Sequence, residues 1–557
     1  MTDAASAGTS PRLSRYELAG VALLGIALAL AMHWPLPLHM GRDIAQDLGD
    51  PLVQAWQVAW DGHALVHQPA SLFQANMFWP LRDSLAFSDA LVGYAPIGLI
   101  GSGTHAAIER YDILFLFAYA LCFAGAWLLA RELGSNRTGA AIAGLAFAYA
   151  PWRIEQQGHL HVLSSGGIPL ALFLLLRGYR AQSSATILAG WLVATWQFSL
   201  GFTLGLMLLY VLAATTVVAA VVWWRRGRPR PPRAVVVASC AGMLCFGVMA
   251  VLLARPYLRV LHDHPEAHRT IENVASFSGP PYEFLAASRF SRVWSAATSP
   301  VRGGLGFVAE MTLFPGIAIL GLALAGWRIG ALPHRLRRRL AIGVLGFAVL
   351  SLGFKLNGLS WLYPYRWLYE FLPGWQGIRV PGRLQTLTTL CLAMLAAGGA
   401  QALAERARAR WGSAVAGGAI ALFCLAILAE GWGFANHPTV PLAPPGERSA
   451  PQPALHLPTG AFDNRRYVLW STDGFPQLVN GRGSFIPRQF VALSQVAQTF
   501  PDARSVAYLR RMGVRSVSVH LDRTAPSSPL RQASTRSLRG LHLKRTRHGS
   551  VVLFVLR

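Results

Sequence analysis

Long apolar runs constrain what this chain can fold into more than any other feature of the sequence. Of the 557 residues, 53% are apolar and only 13% are charged, a balance that is extreme for a soluble protein of this size. Candidate spanning segments lie at about 16–34, 111–131, 138–151, 162–177, 184–198, 202–224, 234–254, 311–327, 340–354, 384–404 and 413–433. The sequence therefore predicts an α-helical polytopic membrane protein with about 11 transmembrane helices.

Arginine clusters in the short loops predict which helix ends face the cytoplasm, because cytoplasmic loops retain Arg and Lys. The clusters on one side of the proposed map are Arg12/Arg15, Arg131/Arg137, Arg177/Arg180, Arg225–Arg233, Arg328 with Arg335–Arg339, and Arg406–Arg410. Of the 25 acidic residues, the ones that then lie inside are Asp3, Glu17, Glu132 and Glu405. The opposite face holds nearly all the carboxylates, and we take it as the working face.

Two apolar runs need separate interpretation. Counting Leu91–Ile100 as a crossing would place Arg131 and Arg137 outside, so we interpret this run as a re-entrant or interfacial segment. The first run, 16–34, lacks a small-residue cleavage site and is expected to be an uncleaved anchor.

Charge and cysteine usage exclude several function classes. The net charge of +25 comes from the cytoplasmic arginines and a basic C-terminal region, without a DNA-binding or RNA-binding signature. Nucleic acid is therefore not an expected partner. The five cysteines all fall in predicted spans, so the sequence predicts neither an extracytoplasmic disulfide framework nor a CxxC metal site.

An acidic stretch, His39–Asp61, follows the first span and contains Asp43, Asp47, Asp50 and Asp61. Asp50-Pro51 predicts a helix start with Asp50 as the N-cap, since proline favours the first helical position. Two interpretations stay open: functional carboxylates, or a cap at Asp50 with the other acids solvated. If the preceding residues were also helical, Asp43, Asp47 and Asp50 would share one face and repel one another.

The helix that Asp50 would begin is predicted over Leu52–Leu65. Val53, Trp56 and Trp60 lie on one of its faces, which is the pattern of a helix in a membrane interface.

A second polar stretch, RIEQQGHLHVLSSGG from Arg153, contains Gln157, His159 and His161. Interfacial hydrogen bonding is one interpretation. The other is that Arg153 and a histidine contact an anionic ligand through charge-assisted bonds. In the outer loop Arg255–Thr312, the sequence HDHPEAH is interpreted either as a solvated loop or, with less support from its spacing, as a metal site.

Two arginines, Arg379 and Arg383, flank Val380-Pro381-Gly382 before a later span. Arginines at an interface often extend to lipid headgroups, and the guanidinium fork also matches a lipid-linked phosphate. Both interpretations stay open. Glu310, just before another span, could face a cavity.

The domain prediction places a transmembrane domain at 1–434 with an acidic first outer loop at 35–110, a linker at 435–455 and a C-terminal domain at 456–557. Strand-like runs occur at Arg466–Trp470, Ser516–His520 and Val551–Leu556, with a helical stretch at Asp502–Met512. The C-terminal region is therefore predicted to be a small extracytoplasmic α/β domain.

The order of these parts resembles the GT-C superfamily of integral-membrane glycosyltransferases, in a bacterial branch of multi-pass proteins. The stretches that carry the resemblance are GDPLVQAW (Gly49–Trp56), APWRIEQQGHLHVLSS (Ala150–Ser165), GIRVPGR (Gly377–Arg383) and LVNGRGSF (Leu478–Phe485). The resemblance covers most of the chain.

The resemblance implies a polyprenyl-phosphate sugar as donor and an Asp in the first outer loop that acts on the acceptor hydroxyl. Asp50 best matches that position, with Asp43 and Asp47 as further catalytic candidates. Many relatives have an adjacent acidic pair, whereas Asp50 is followed by Pro51. No cofactor is firmly implied, although a divalent cation stays open, and no metal ligand is assigned.

Other site residues are assigned as expectations. The donor-phosphate candidates are Arg379, Arg383, Arg153 and His159, and the substrate-binding candidates are His161, Gln157, Asp89 and Glu310. The leaving phosphate needs charge compensation, and a single displacement would invert the anomeric configuration.

The expected function is transfer of a sugar from a polyprenyl-phosphate donor to a glycan, lipid or protein acceptor of the cell envelope. The expected location is the bacterial inner membrane, with the N-terminus cytoplasmic, the C-terminal domain extracytoplasmic, and membrane lipid as a further partner. A catalytically inactive GT-C-like binding or assembly protein is one alternative. A lipid-linked glycan transporter is another, although such a protein should show internal repeats or charges buried in mid-span.

Overall fold

The structure is a computed structural model that describes residues 11–225, 227, 230–355, 363–434, 436–444 and 450–556. Parts of the predicted segments lie outside the described residues: residues 1–10, with Asp3, and 356–362 of the transmembrane domain, residues 226, 228 and 229 of the arginine cluster Arg225–Arg233, residues 435 and 445–449 of the linker, and residue 557 of the C-terminal domain.

The described residues are mainly helical. The α-helices are α1 (Arg15–Met32), α2 (Asp50–His67), α3 (Ala95–Gly98), α4 (Gly103–Glu132), α5 (Arg137–Ala148), α6 (Leu160–Leu163), α7 (Gly167–Ala181), α8 (Ser184–Ser199), α9 (Phe202–Arg225), α10 (Arg233–Asp263), α11 (Ile271–Ala275), α12 (Ser299–Gly303), α13 (Ile317–Ile329), α14 (His334–Ser351), α15 (Pro364–Phe371), α16 (Gln385–Trp411), α17 (Ser413–Glu430), α18 (Ala461–Trp470), α19 (Arg488–Ala497) and α20 (Ala503–Arg511). The β-strands are β1 (Ala454–Leu457), β2 (Ser516–His520), β3 (Leu543–His548) and β4 (Val551–Leu556).

Each segment proposed as a span from the sequence overlaps with at least one of these helices. Seven helical segments within the described residues are long and apolar enough to cross a membrane, and the shorter α13 is apolar as well. The protein is therefore a helical, multi-pass membrane protein, and the number of crossings stays a prediction. The run Leu91–Ile100 forms only a short 3-10 helix, Val92–Tyr94, followed by α3, which together are too short to span a bilayer.

The chain divides into two compact units. Unit 1 contains the described residues of 1–34, 114–251 and 268–435, and unit 2 contains those of 35–113, 252–267 and 436–557. Unit 2 thus combines the predicted first outer loop with the C-terminal region. The predicted assignment of these parts to one side of the membrane stays a prediction.

Unit 1 is a helical bundle in which α16 packs against α5, α13, α14 and α17. Small residues allow α13 and α16 to approach closely, because a Cβ at Gly326 or Gly399 would collide with the backbone of the other helix. Such small residues let apolar helices pack without large side chains between them. Glu430, at the end of α17, accepts hydrogen bonds from the backbone N–H groups of Ile317 and Ala318 and so caps α13.

Two ion-pair groups join arginine clusters that were predicted to be cytoplasmic. Glu17 pairs with Arg131 at 3.1 Å and with Arg137 at 2.8 Å. Glu132 pairs with Arg177 at 3.2 Å and with Arg180 at 3.1 Å. The clusters therefore meet within one unit, as expected if they share one side of the membrane.

Unit 2 contains a four-stranded sheet with the order β1-β2-β4-β3, where β1 and β2 are parallel and the other neighbours are antiparallel. The predicted strands Ser516–His520 and Val551–Leu556 are confirmed as β2 and β4, and the predicted helix Asp502–Met512 is confirmed as α20. The predicted strand Arg466–Trp470 is wrong, because these residues form the C-terminal half of α18. A run of four buried apolar residues is compatible with a strand or with a buried helix, and the pattern alone does not distinguish them.

Helix α2 is part of the core of unit 2. Val53, Trp56 and Trp60 pack in one hydrophobic cluster with residues of the sheet such as Leu455 and Val517. The prediction of an interfacial helix is therefore wrong, since nearly every residue from Pro51 to Gly62 is buried by protein.

The start of α2 also differs from the prediction. Gly49 is the N-cap, and Asp50 is the first helical residue, so Asp50 is not the N-cap. The residues before it form turns and an isolated bridge at Asp43, so the three acids do not share a helical face.

Candidate functional site

The three carboxylates before and at the start of α2 have different environments within unit 2. Asp43 is buried and accepts hydrogen bonds from Arg42 at 3.0 Å and from the Thr439 hydroxyl at 2.7 Å. The bonds from Arg42 hold the pKa of Asp43 below its usual value despite burial. This carboxylate is therefore used to hold the segment after α1 to the segment around Thr439.

Asp47 stabilises a turn. Its Oδ1 atom accepts a hydrogen bond from the backbone N–H of Gly49 at 2.7 Å, and the residue is otherwise exposed. Aspartate side chains often accept a hydrogen bond from the backbone N–H two residues later, and this bond stabilises a turn.

Asp50 combines a fixed position with access to solvent. Its Oδ1 atom accepts two hydrogen bonds from Arg465 of α18, from Nη2 at 2.8 Å and from Nε at 3.1 Å. The Asp50 side chain keeps 44% of its surface exposed, compared with 8% for Asp43. Asp50 is thus the member of this group that is both oriented by a partner and open to a reactant.

A second arginine, Arg482, belongs to the same surroundings. Burial lowers its pKa, the positive charge of Arg465 lowers it further, and the charge of Asp50 opposes these effects. Arg465 and Arg482 were not among the residues predicted from the sequence. The motif LVNGRGSF, which contains Arg482, was the one available signal.

The donor set around Asp50 does not fit a divalent cation. Asp43 is neutralised by Arg42, Asp47 is bound to a backbone amide, and Asp50 faces the guanidinium of Arg465. A cation here would meet like charge. No group of three or more potential ligands occurs among the described residues, and the HDHPEAH stretch forms exposed or half-buried neighbouring pairs such as His262–Asp263 and His264–Glu266.

In unit 1, four of the predicted residues, one of them Glu310, lie close together. Its carboxylate accepts a hydrogen bond from Arg383 Nη2 at 3.0 Å, and the pair is almost fully buried. Burial alone would raise the pKa of Glu310, but the charges of Arg383, His159 and Arg379 bring it below its usual value. Arg379, Arg383, His159 and Glu310 therefore form one polar cluster, which we call the Glu310 cluster.

Neighbouring side chains contact the residues of the Glu310 cluster. Gln156 donates to the Ala309 carbonyl at 2.9 Å and lies 3.4 Å from Glu310 Oε2. The ring of His159 lies 3.0 Å from Gln156 Oε1, and the ring of His161 packs edge-on against His159. Arg379 lies over the ring of Phe277 at 4.5 Å.

Arg153 is placed differently from the other donor-phosphate candidates. It is buried, it donates to Ser165 Oγ at 3.1 Å and to the Leu163 carbonyl at 3.0 Å, and it lies over the ring of Tyr119. Gln157 hydrogen-bonds the Tyr119 side chain as well. These contacts indicate that Arg153 organises the interior of unit 1.

Three further acids have surroundings of their own. Asp89, a predicted substrate-binding residue, is half-buried in unit 2, where its carbonyl accepts from Gln57 Nε2 at 2.8 Å. Asp61 in α2 is fully buried, and burial raises its pKa well above the usual value. Glu283 in unit 1 is also buried, which raises its pKa to about 9. The sequence had singled out neither carboxylate as buried.

Similarity to known proteins is found at the level of structure. No family model and no curated protein match the sequence. Among solved structures, arabinofuranosyltransferase AftD from Mycobacteria aligns over 98% of this chain with a TM-score of 0.58 and 16% identity. The chain spans 42% of that protein's length.

A second solved structure is the oligosaccharyltransferase AglB from Archaeoglobus fulgidus, in complex with an inhibitory peptide and a dolichol-phosphate. It aligns over 91% of this chain and 70% of its own length, with a TM-score of 0.43 and 14% identity, which is too weak to support a fold assignment. The alignment with AftD shows that this chain shares the fold of the aligned part of that protein.

Proposed function

We propose that this protein is a membrane glycosyltransferase that transfers a sugar from a polyprenyl-phosphate donor to a cell-envelope acceptor, with inversion at the anomeric carbon. The observation that carries the proposal is Asp50 on a GT-C fold. Its carboxylate lies at the start of α2, is held by Arg465 and remains 44% exposed. A fixed, accessible carboxylate is what a general base for a hydroxyl nucleophile requires.

The chemistry follows from that position. The acceptor hydroxyl donates its proton to Asp50 as its oxygen forms a bond to the anomeric carbon. The bond between the anomeric carbon and the phosphate oxygen breaks at the same time, and the electron pair leaves with the polyprenyl phosphate. The phosphate thereby gains one negative charge, so the leaving group needs positive partners and no proton.

We assign binding of the donor phosphate to Arg379 and Arg383 of the Glu310 cluster. Glu310 orients Arg383 through their 3.0 Å hydrogen bond, while Arg379 contributes a second guanidinium. Guanidinium groups match the geometry of phosphate oxygens. In this assignment, Arg153 has a structural role, because its contacts are internal.

The test is Asp50→Asn in the full-length protein. Asn keeps an oxygen that can accept from Arg465 but cannot take a proton, so the variant should fold and lose about 10²–10⁴-fold in transfer rate. Transfer would be followed by mass spectrometry of envelope glycans and lipids from cells with and without the gene, which also identifies the product. Thermal unfolding of the purified variant checks folding.

Asp47→Asn is the matched control. It makes the same change three residues earlier, at a carboxylate that serves a turn, and should retain most of the activity. Wild-type turnover by Asp50→Asn would show that the base is another group. Envelope glycans that do not change on deletion of the gene would favour a binding or assembly protein over a transferase.

A further inference from the structure

The motif LVNGRGSF forms a rigid support for Arg482 in unit 2. Asn480 is fully buried, its side chain bonds both backbone groups of His456, and it donates to Asn464 Oδ1 at 2.9 Å. Asn464 directly precedes Arg465 on α18. This bond therefore ties the motif to the helix that carries Arg465.

The glycines on either side of Arg482 bring the same loop against the first outer loop. A Cβ at Gly481 would collide with the ring of Phe78, and one at Gly483 would lie 2.8 Å from the Phe87 carbonyl oxygen. The Ser484 hydroxyl and the Phe485 amide both bond that carbonyl. Arg482 is thus projected from backbone that is fixed on both sides.

The positive charges around Asp50 outnumber the negative ones in this group of three residues. Arg465 and Arg482 provide two guanidinium groups near one carboxylate, Asp50. Arg482 is half-buried, and it makes no hydrogen bond or ion pair with any residue that the structure describes. A partly desolvated guanidinium without an acceptor is costly, and an oxyanion bound there would supply both the acceptor and the missing negative charge.

We propose that Arg465 and Arg482 form an oxyanion site beside Asp50, and that its ligand is an acidic group of the acceptor glycan, a carboxylate or a phosphate ester. This inference rests on the proposed function for the identity of the ligand. In an inverting displacement, the attacking hydroxyl and the leaving phosphate lie on opposite faces of the anomeric carbon. An anion next to the base therefore belongs to the acceptor side.

Binding to the full-length protein in neutral detergent tests the site without any turnover. The probes are methyl glucuronide and glucose 6-phosphate, with methyl glucoside as the neutral comparison, and the readout is the unfolding midpoint as a function of ligand concentration. At least one acidic probe should stabilise the wild-type protein, and the neutral one should not. If neither acidic probe stabilises it, the proposal is overturned.

Arg482→Gln should weaken binding of the acidic probe by about tenfold or more, because a charge-assisted hydrogen bond is lost. Arg482→Lys should retain part of it. Arg511→Gln, at an exposed arginine at the end of α20, is the matched control and should bind as the wild type does. Equal binding by Arg482→Gln and wild type would remove Arg482 from the site.

Two further measurements separate this inference from its alternatives. Asp50→Asn should bind the acidic probe more tightly than wild type, because a competing negative charge is removed, whatever its effect on transfer. Undecaprenyl phosphate is tested as a competitor. If it displaces the acidic probe and its own binding is lost in Arg482→Gln, the site belongs to the donor and the assignment to the acceptor is wrong.

Discussion

At the scale of single residues, the position of a carboxylate decides what it can do. Glu310 and Asp50 each face an arginine, but the Glu310 side chain is 4% exposed and that of Asp50 is 44% exposed. A buried ion pair is costly to break, because removal of one partner leaves an unpaired charge away from water. Glu310 is therefore suited to hold Arg383 in place, and Asp50 to meet a reactant.

This difference predicts the stability of variants of the Glu310 cluster. Glu310→Gln removes the carboxylate that pairs with the buried Arg383 and should lower the free energy of unfolding by about 3 kcal/mol. The double variant Glu310→Gln, Arg383→Gln should recover part of that loss. The measurement is denaturant unfolding of the purified protein in detergent, with Asp50→Asn as the exposed comparison, expected to lose about 1 kcal/mol or less.

The local sequence pattern identified some of the site residues, but it did not predict their partners. Asp50 was identified from the Asp-Pro pair, but its role as a cap was wrong because the helix begins one residue earlier than a capping Asp allows. Its true partner, Arg465, lies 415 residues away. No local spacing encodes a contact of that length. The Glu310 cluster likewise joins residues from three distant segments, each of which the sequence could mark only as polar.

At the scale of secondary structure, close backbone packing fixes α2 in unit 2. A Cβ at Gly62 would collide with the backbone of Gly98, and a Cβ at Gly98 would collide with the Val58 carbonyl oxygen. Helix α2 and the short helix α3 therefore touch through their backbones. The apolar run Leu91–Ile100 thus packs against α2 within unit 2.

Gly62→Ala tests this packing. In a helix without such a neighbour, alanine stabilises by about 1 kcal/mol relative to glycine. Here the added methyl group should instead cost about 1–3 kcal/mol, because it forces the two helices apart. Gly346→Ala in α14, where nothing lies within 4 Å of the added Cβ, is the control and should not destabilise. A stabilised Gly62→Ala protein would contradict the close contact.

A histidine pair in the sheet predicts a dependence of stability on pH. His456 Nδ1 and His520 Nε2 lie 3.1 Å apart in the core of unit 2, stacked with Tyr467 of α18. Burial lowers the pKa of His456 to about 4, and burial together with His456 and Arg523 lowers that of His520 to about 2. The unfolded histidines take up protons near the ordinary histidine pKa of 6.5, whereas the folded ones do not.

The stability contributed by each histidine is therefore complete above pH 6.5 and is lost as the pH falls, toward pH 4 for His456 and toward pH 2 for His520, by up to about 1.4 kcal/mol per pH unit. Hydrogen exchange of the β2 amides between pH 7.5 and 5 measures it. His520→Gln should reduce the slope, and the difference between the two profiles removes contributions from other groups. Identical slopes would show that the pair does not titrate on unfolding.

At the scale of the whole molecule, long apolar runs identified the candidate membrane helices, and short strand-like runs identified β2 and β4. The run Arg466–Trp470 was assigned wrongly because four consecutive buried residues carry no period. The surroundings of α2 were missed because burial by a distant part of the chain and burial by lipid leave the same apolar pattern.

The membrane orientation is a prediction at this scale. Cysteines introduced at the exposed positions Gln182 and Ser537, in a background without the native cysteines, should react with impermeant reagents on opposite sides of the membrane. Gln182 lies near the cluster Arg177/Arg180 and should be cytoplasmic, whereas Ser537 should be accessible from outside. Labelling of both positions from the same side would contradict the arginine-based orientation.

The discontinuous order of unit 2 has a consequence for how the protein is made. Asp50 leaves the ribosome 415 residues before its partner Arg465, an interval of roughly 20–80 s at ordinary rates of synthesis. During that time the apolar face of α2, with Trp56 and Trp60, has no sheet to pack against. The nascent first loop therefore needs temporary protection, and a stalled or shortened chain should be a preferred target for quality-control proteases, even though its membrane helices are already inserted.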